Sequence, residues 1–424
     1  MVSVAGAPRA YSTGEPLGFD LSAPAFKADP FPTFAAMRAA GPVIPVRMAF
    51  VGRAWITTSY EATAATVKGS DLFVLEGRRV GRPAPAGYRW WMPRSLRLMA
   101  NTMLQKDEPD HRRLRKLVDH AFARRDIHAM RGNIEQIADG LLDALEGRAE
   151  VDLAAEFSRR LPIIVICDLL GVPEEDRAAF AECARKMLTF NSAAGFLLAM
   201  GSFHKMLAYV REQIGIARRD PRPGLIAELI RAEADGDKLD ENELISMILL
   251  LLIAGSETTT HLISDSVIAL EQHPDQKAWL FENPADRMER AVEELARFSS
   301  PVQSTKPRFV ARDMEFFGQR LRQGELIMAL VAAANADPEA FDEPETLRLD
   351  RFPNPHLVFS SGIHFCLGQQ LARVEAQSAV SRLYARFPDL ALASGPIAWL
   401  DRLGVHGPKT LPVRLNGEAG RLAA

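Results

Sequence analysis

Phe359–Ala376, FSSGIHFCLGQQLARVEA, sets a single cysteine between glycines at the mouth of a helix. Downstream, Leu367, Leu371, Val374, Leu383 and Phe387 form an apolar stripe at helical spacing that stops before Pro388. A thiol at a helix amino terminus meets unpaired N–H groups and the positive end of the dipole, and both favour the thiolate. A thiolate placed there is either a nucleophile or a metal ligand. A nucleophile needs a paired base, but His364, two residues upstream, need not face the sulfur, and no other catalytic-cysteine signature is present. A closed zinc site needs three more Cys or His ligands at short spacing, and these are absent.

The rest of the composition narrows the metal. The chain of 424 residues holds three cysteines, Cys167, Cys183 and Cys366, too few for a disulfide framework or for the four thiolates of most iron–sulfur clusters. Cys167 and Cys183 read as small core hydrophobes. One soft thiolate suits a metal whose other positions are filled by a macrocycle, and haem iron held by one cysteine is the known solution of that kind. A net charge of -3 gives no global attraction to nucleic acid or an anionic membrane. The amino terminus lacks the apolar core of a secretory signal, and the longest apolar run, Met247–Gly255, is far shorter than the roughly 20 residues that cross a bilayer. These features lead us to expect a cytoplasmic protein without a membrane anchor.

Helical patterns dominate. Apolar residues recur every three or four positions through EQIADGLLDALEG, LPIIVICDLLG and RMERAVEELARF, while strand-like runs are few: AWITTS near Trp55, MEFFG near Met314 and ELIMALVAAA near Glu325. There is no internal repeat, low-complexity segment or polar linker, so 1–424 is expected to be one domain, mainly α with a minor β-sheet region, after an irregular segment 1–25. ARRDPRPG at Ala217–Gly224 reads as a loop between helices. The clearest helix begins at Asp240, where Glu243 completes a capping-box pattern, and runs to Gln272 before His273-Pro274. Its apolar middle changes abruptly to AGSETTT at Ala254–Thr260. Threonine hydroxyls often bond back to the preceding turn, and Glu257 has the plain reading of a residue at the helix surface. Gly255, costly inside a helix, suggests that something approaches the backbone closely there.

Phe359, Gly362, His364, Cys366 and Gly368 together resemble the haem-ligand loop of the cytochrome P-450 superfamily. AGSETT at Ala254–Thr259 resembles the family's oxygen-activating helix segment, ELAR at Glu294–Arg297 its Glu-x-x-Arg pair, DHRRLR at Asp110–Arg115 its haem-edge helix, and PNPHLVF at Pro353–Phe359 the approach to the ligand loop. The order and separations match from about Trp55 onward. The resemblance implies the cytochrome P-450 fold, with haem b (protoporphyrin IX iron) between the long central helix and the Cys-loop helix, and Cys366 as the axial iron ligand. It implies that Thr258 and Glu257 deliver the protons used in dioxygen activation, that His111, Arg115, Arg308 and His364 hold the haem propionates, and that Ala254, Phe359 and Gly368 contact the macrocycle. Glu294 and Arg297, joined by a third group at Arg351, would be structural.

The activity implied is that of a haem-thiolate monooxygenase that inserts one atom of O2 into an apolar substrate by hydroxylation or epoxidation. The chain is expected to lack a fused reductase and to act as a monomer. Electrons would come from a separate ferredoxin-type donor with an NAD(P)H-dependent reductase, docked on Arg112, Arg113 and Lys116, although such a basic run also has the plain reading of a solvated face. The alternatives are a hydrogen-peroxide-driven peroxygenase and a non-catalytic haem-thiolate sensor; retention of Glu257 and Thr258 counts against both. Two positions depart from the common bacterial pattern, Ser360 in place of Gly and Ala336 in place of Arg. The residues after Gly81 and those from Met187 to Leu207, rich in aromatic, Met and aliphatic side chains, are expected to cover the substrate pocket.

Overall fold

The computed structural model describes residues 16–48, 52–82, 102–123, 127–188, 193–234 and 239–416. Its axis is α10 (Glu241–Gln272), a helix of 32 residues and, at about 1.5 Å per residue, roughly 48 Å long. The expected capping box is present: the Asp240 carboxylate accepts the Glu243 N–H at 2.8 Å and the Glu243 carboxylate accepts the Asp240 N–H at 3.0 Å. By length and composition α10 would also span a bilayer, yet 67% of its most apolar window is buried inside the protein. It is a core helix, packed against α6 (Arg160–Leu170), α12 (Pro284–Ser299) and α14 (Gln369–Arg386). The Gly255 backbone is indeed closely approached: a Cβ there would lie 3.2 Å from Ile166 Cδ1 of α6.

Beside the helices lies a five-stranded sheet in the order β1-β2-β8-β5-β3, formed by β1 (Val43–Met48), β2 (Gly52–Thr57), β3 (Phe73–Val74), β5 (Arg308–Val310) and β8 (Leu326–Ala329). β1 and β2 are antiparallel, with Ile44 opposite Ile56, whereas β2 and β8 are parallel, with Trp55 opposite Ile327. The register sets Arg308 opposite Ile327. The apolar run after Glu325 is only half strand: β8 stops at Ala329, and Val331–Asn335 form a short helix, α13. The small residues Ala332, Ala333 and Ala334 let this turn pack into the core, where a strand would have continued past the edge of the sheet. Ala336 follows in the same cluster and does not touch the candidate site.

A buried charge network fixes the approach to the cysteine loop. The Arg297 guanidinium donates twice to the Glu294 carboxylate at 2.7 Å, and Arg351 Nε donates to both of its oxygens at 3.1 Å. Desolvation of these charges is offset by further bonds: Arg297 donates to the carbonyls of Asn335 and Pro344, and Arg351 to that of Asp342. The third group expected at Arg351 is therefore in place.

A second link reaches the loop itself. Arg373 of α14 donates to Glu293 of α12 at 2.8 Å and lies over the Phe359 ring, 4.3 Å from its centroid. Burial raises the Glu293 carboxyl, but the hydrogen bonds of Arg373 and His356, and their charges, lower it by more, to about 2 against an ordinary 4.5. Because the folded value is depressed, the stabilisation is complete above about pH 4.5 and is lost as pH falls towards 2. Glu293→Gln should therefore lower stability by about 2 kcal/mol at pH 6, with the gap to the wild type shrinking progressively below pH 4.5. Urea unfolding of both proteins across that range checks it; a gap independent of pH would be inconsistent with this origin.

Candidate active site

The cysteine loop is built from backbone constraints. Cys366 donates its N–H to the Phe359 carbonyl at 2.9 Å, closing the loop, and Gly368 is the N-cap of α14 without a side-chain cap. Gly362 has φ +72, and a Cβ there would fall 2.9 Å from the Val67 carbonyl oxygen, so the loop lies directly on the end of α3 (Tyr60–Lys68). Ser360 also adopts a left-handed conformation, φ +60, which an L side chain tolerates poorly. Ser360→Gly should relieve that strain, offset in part by the greater freedom of glycine in the unfolded chain, for a net gain of about 0.5–1 kcal/mol in urea unfolding.

The helix amino terminus was expected to favour the Cys366 thiolate. In the structure burial dominates and pushes the thiol above its ordinary value, with the Gly368 N–H, Arg115 and Arg373 opposing. At this position the surroundings of the thiol oppose the helix dipole.

Cys366 forms part of the wall of a cavity enclosing about 1330 Å³ of empty space, some of it open to solvent. Ala254, Gly255 and Thr258 of α10 line it, as do Phe359, Cys366 and Gly368 of the cysteine loop, and His111, Arg115 and His364. Thr258 Oγ1 donates to the Ala254 carbonyl at 2.7 Å, the back-bond of an isolated threonine, which leaves the hydroxyl oxygen able to accept a hydrogen bond from the cavity.

His111 and Arg115, one turn apart on α4 (Asp110–Ala123), both reach the cavity as the sequence predicts. Arg115 donates to Asp119 at 2.9 Å and to the Phe365 carbonyl at 2.7 Å, tying α4 to the loop. The His111 and His364 rings meet edge-on at 4.3 Å, and neither His111 nitrogen has a partner among the described residues. Burial acts against the cationic form of both rings. Burial lowers His111, and it lowers His364 to about 3, with the charges of His111, Arg308, Arg115 and Lys306 adding to the effect.

Arg308 is buried beside this cluster, off the cavity wall, donating weakly to the carbonyls of Thr66 and Val67; burial lowers it to about 10. Lys306 was missed. Its side chain is exposed beside Arg308, the surrounding protein lowers its amine to about 8, and it has no carboxylate partner among the described residues. The only sequence signal for it was its place two residues before Arg308.

Other expectations were met only in part. Glu257 is not on the cavity wall: successive helical residues diverge by about 100°, and its carboxylate is held by Arg402 at 2.6 and 2.8 Å. In the basic run Arg112 and Lys116 are exposed, but Arg113 turns inward and pairs with Glu243 at the start of α10. The expected pocket segment after Gly81 falls, beyond Arg82, outside the described residues. Of Met187–Leu207, residues 189–192 are also outside them, while Phe203, Met206 and Leu207 are buried in the main core rather than in the cavity wall.

The chain was also compared with known proteins. A family profile described as Cytochrome P-450 matches residues 197–390. Vitamin D(3) 25-hydroxylase of Pseudonocardia autotrophica is 38% identical over 400 residues, covering 94% of this chain and 96% of that protein. Cytochrome P-450 monooxygenase PikC of Streptomyces venezuelae is 36% identical, covering 97% of this chain and 98% of that protein. Among solved structures, the bacillaene polyketide synthase cytochrome P-450 PksS of Bacillus subtilis superposes with a TM-score of 0.86 at 35% identity, covering 94% of this chain and 100% of that one.

Proposed function

Because the chain belongs to the cytochrome P-450 family of haem-dependent monooxygenases, we propose that Cys366 is its axial iron ligand and that the cavity between α10 and the cysteine loop takes the haem and, above it, a bulky apolar substrate. What carries this reading is the joint placement on one cavity of the Cys366 thiol, the Thr258 hydroxyl and the His111, His364 and Arg115 side chains, with Arg308 and Lys306, which have no carboxylate partner among the described residues, beside them. The donor set fits haem: an apolar slot with one soft ligand, ended by groups suited to two propionates. His111, Arg115 and His364 would hold the propionates from the cavity wall, with Arg308 and Lys306 supplying charge behind them. Ala254, Phe359 and Gly368 would contact the macrocycle.

Haem, when bound, supplies the electron-transfer and dioxygen chemistry. The protein's part is to orient substrate and manage protons. Thr258, its own hydrogen committed to Ala254, would accept from a water and hold it as a proton donor on the wall. Glu257, on the adjoining face, would supply that water once its carboxylate leaves Arg402. The apolar residues Leu251, Leu262 and Val302 exclude bulk water.

Relatives of the chain include a vitamin D(3) 25-hydroxylase and a 6-deoxyerythronolide B hydroxylase, and one structural neighbour was solved in complex with myristic acid. With the apolar walls, these support a substrate of sterol, macrolactone or fatty acyl type. The exposed Arg112 and Lys116, on the helix that contacts Phe365, suit an acidic ferredoxin fed from NAD(P)H. We further read the protein as a single domain, monomeric and cytoplasmic. The test is a spin-shift titration with vitamin D3, 6-deoxyerythronolide B and myristic acid, then turnover under ¹⁸O2 with a plant-type ferredoxin, its reductase and NADPH. One labelled oxygen atom per product is expected; product made only from added hydrogen peroxide would sink the reading.

A further inference from the structure

Lys27 of the short helix α1 (Pro24–Ala28) is only 1% exposed, yet it has no carboxylate within bonding distance among the described residues. Its ammonium donates instead to three neutral acceptors: Gln303 Oε1 at 2.8 Å, the Arg402 carbonyl at 3.1 Å and the Val405 carbonyl at 2.6 Å. An ammonium carries three N–H donors, so the set is complete. Burial lowers the amine to about 8, with the charge of Asp265 opposing, so the ammonium persists at neutral pH. The Lys27 backbone is used as well, since its carbonyl accepts from His406 Nε2 at 2.9 Å. His406 turns its other nitrogen to Asp265 Oδ2 of α10 at 3.2 Å, and the Trp399 ring covers it at 4.4 Å.

The acceptors of this ammonium lie on the cavity wall segment and on the loop behind it. Pro301 and Val302 line the cavity, and Gln303, 2% exposed, is the next residue. The C-terminal loop pairs with this wall: His406 donates its N–H to the Pro301 carbonyl at 2.9 Å, Gln303 donates its own to the Gly404 carbonyl at 2.9 Å, and Val302 forms an antiparallel bridge with Val405. Gly404, at φ +77, brings the two so close that a Cβ there would lie 2.9 Å from Ser304 Oγ. Wall and loop are thus one hydrogen-bonded piece. The Arg402 guanidinium tethers it to Glu257 of α10, and Lys27 fastens it to the N-terminal part of the fold, where Phe26 of α1 packs with Ile44 and Ile56 of the sheet.

We propose that Lys27 is a positioning residue for substrate: by holding Gln303 and the Arg402–Val405 loop together, its ammonium sets where Val302 stands on the cavity wall. This rests on the reading of the cavity as a site for haem with an apolar substrate above it. Without the ammonium three buried oxygens lose their donor. An unmet buried acceptor is costly, so wall and loop shift until those oxygens reach water. The shift falls on Val302, which lies between Pro301 and Gln303 and faces the cavity. Lys27 is 276 residues from Gln303 and 375 from Arg402, so no local pattern in the sequence points to this role.

The test is optical titration of the holoenzyme with imidazole and with 4-phenylimidazole. Both bind haem iron through nitrogen, and only the second carries a ring that reaches the wall, so the comparison does not depend on which substrate the protein takes. In Lys27→Met, which keeps the side chain's length and removes its donors, the Kd for 4-phenylimidazole should rise about tenfold while that for imidazole stays within about twofold. Lys27→Gln, with two N–H donors left, should fall between. Gln303→Leu frees the wall and leaves α1 intact; it should raise the same ratio, and it decides the matter if Lys27→Met does not fold. With any compound that shifts the spin state of the wild type, Lys27→Met should raise KM about tenfold and leave kcat within about twofold. Equal weakening of both imidazoles, or a ratio unchanged in Lys27→Met and Gln303→Leu, overturns the proposal. A wild type that binds both imidazoles but shifts with none of vitamin D3, 6-deoxyerythronolide B and myristic acid fails the substrate reading alone. One that binds neither imidazole at iron fails the haem reading and takes this proposal with it.

Discussion

Cys366→Ala should abolish oxygenation and remove the red-shifted carbonyl band that thiolate ligation gives to reduced haem. The argument is structural as well as chemical. Cys366 supplies the one thiol of the cavity wall among the described residues, the loop around it is closed by the Cys366 N–H to Phe359 bond, and that backbone bond survives the substitution. Losing one small, partly exposed sulfur should cost the apoprotein about 1 kcal/mol or less, so the variant should fold. It should bind haem more weakly and only through the propionate and apolar contacts. Titration of purified apoprotein with hemin, followed by reduction under carbon monoxide, separates the outcomes. An intact thiolate-type band in the variant would falsify the assignment of the ligand.

Thr258→Ala is the second large effect, and it falls on coupling rather than on folding. Its hydroxyl bonds back to Ala254, so the helix loses one local bond, while the cavity wall loses the oxygen that holds a proton-donating water. Positioned proton donors contribute on the order of 10²–10⁴ in rate. The variant should consume NADPH at a rate close to the wild type and bind substrate with an unchanged spin shift. Product per electron should fall by about tenfold or more, with hydrogen peroxide in its place. Thr258→Ser, which keeps the hydroxyl, should recover most of the coupling. Full coupling in the alanine variant would remove Thr258 from the proton path.

Much of this site could be read in the sequence because the features that build it are local. The capping box, the glycine that the loop needs at φ +72, and the helix after Cys366 each depend on residues a few positions apart. What could not be read depends on distant partners. Arg402 lies 145 residues from Glu257, and Glu243 lies 130 residues from Arg113, so nothing near either site announced those pairs. The apolar run after Glu325 misled because strand and buried helix share its composition, and the change from strand to helix at Leu330 is set by packing. The surroundings of the thiol and the histidines could not be read for a similar reason: helix position is visible in sequence, but burial is not.

The parallel pairing of β2 with β8 has a consequence for biosynthesis. Trp55 and its hydrogen-bond partner Glu325 are separated by 270 residues, so almost the whole helical body must emerge before the first hairpin finds its neighbour. Contacts of such long sequence range form late and slowly. Until then the open edge of β2 is exposed on the nascent chain, which makes the ribosome-bound stage, rather than the finished enzyme, the point at which this protein is most vulnerable to aggregation.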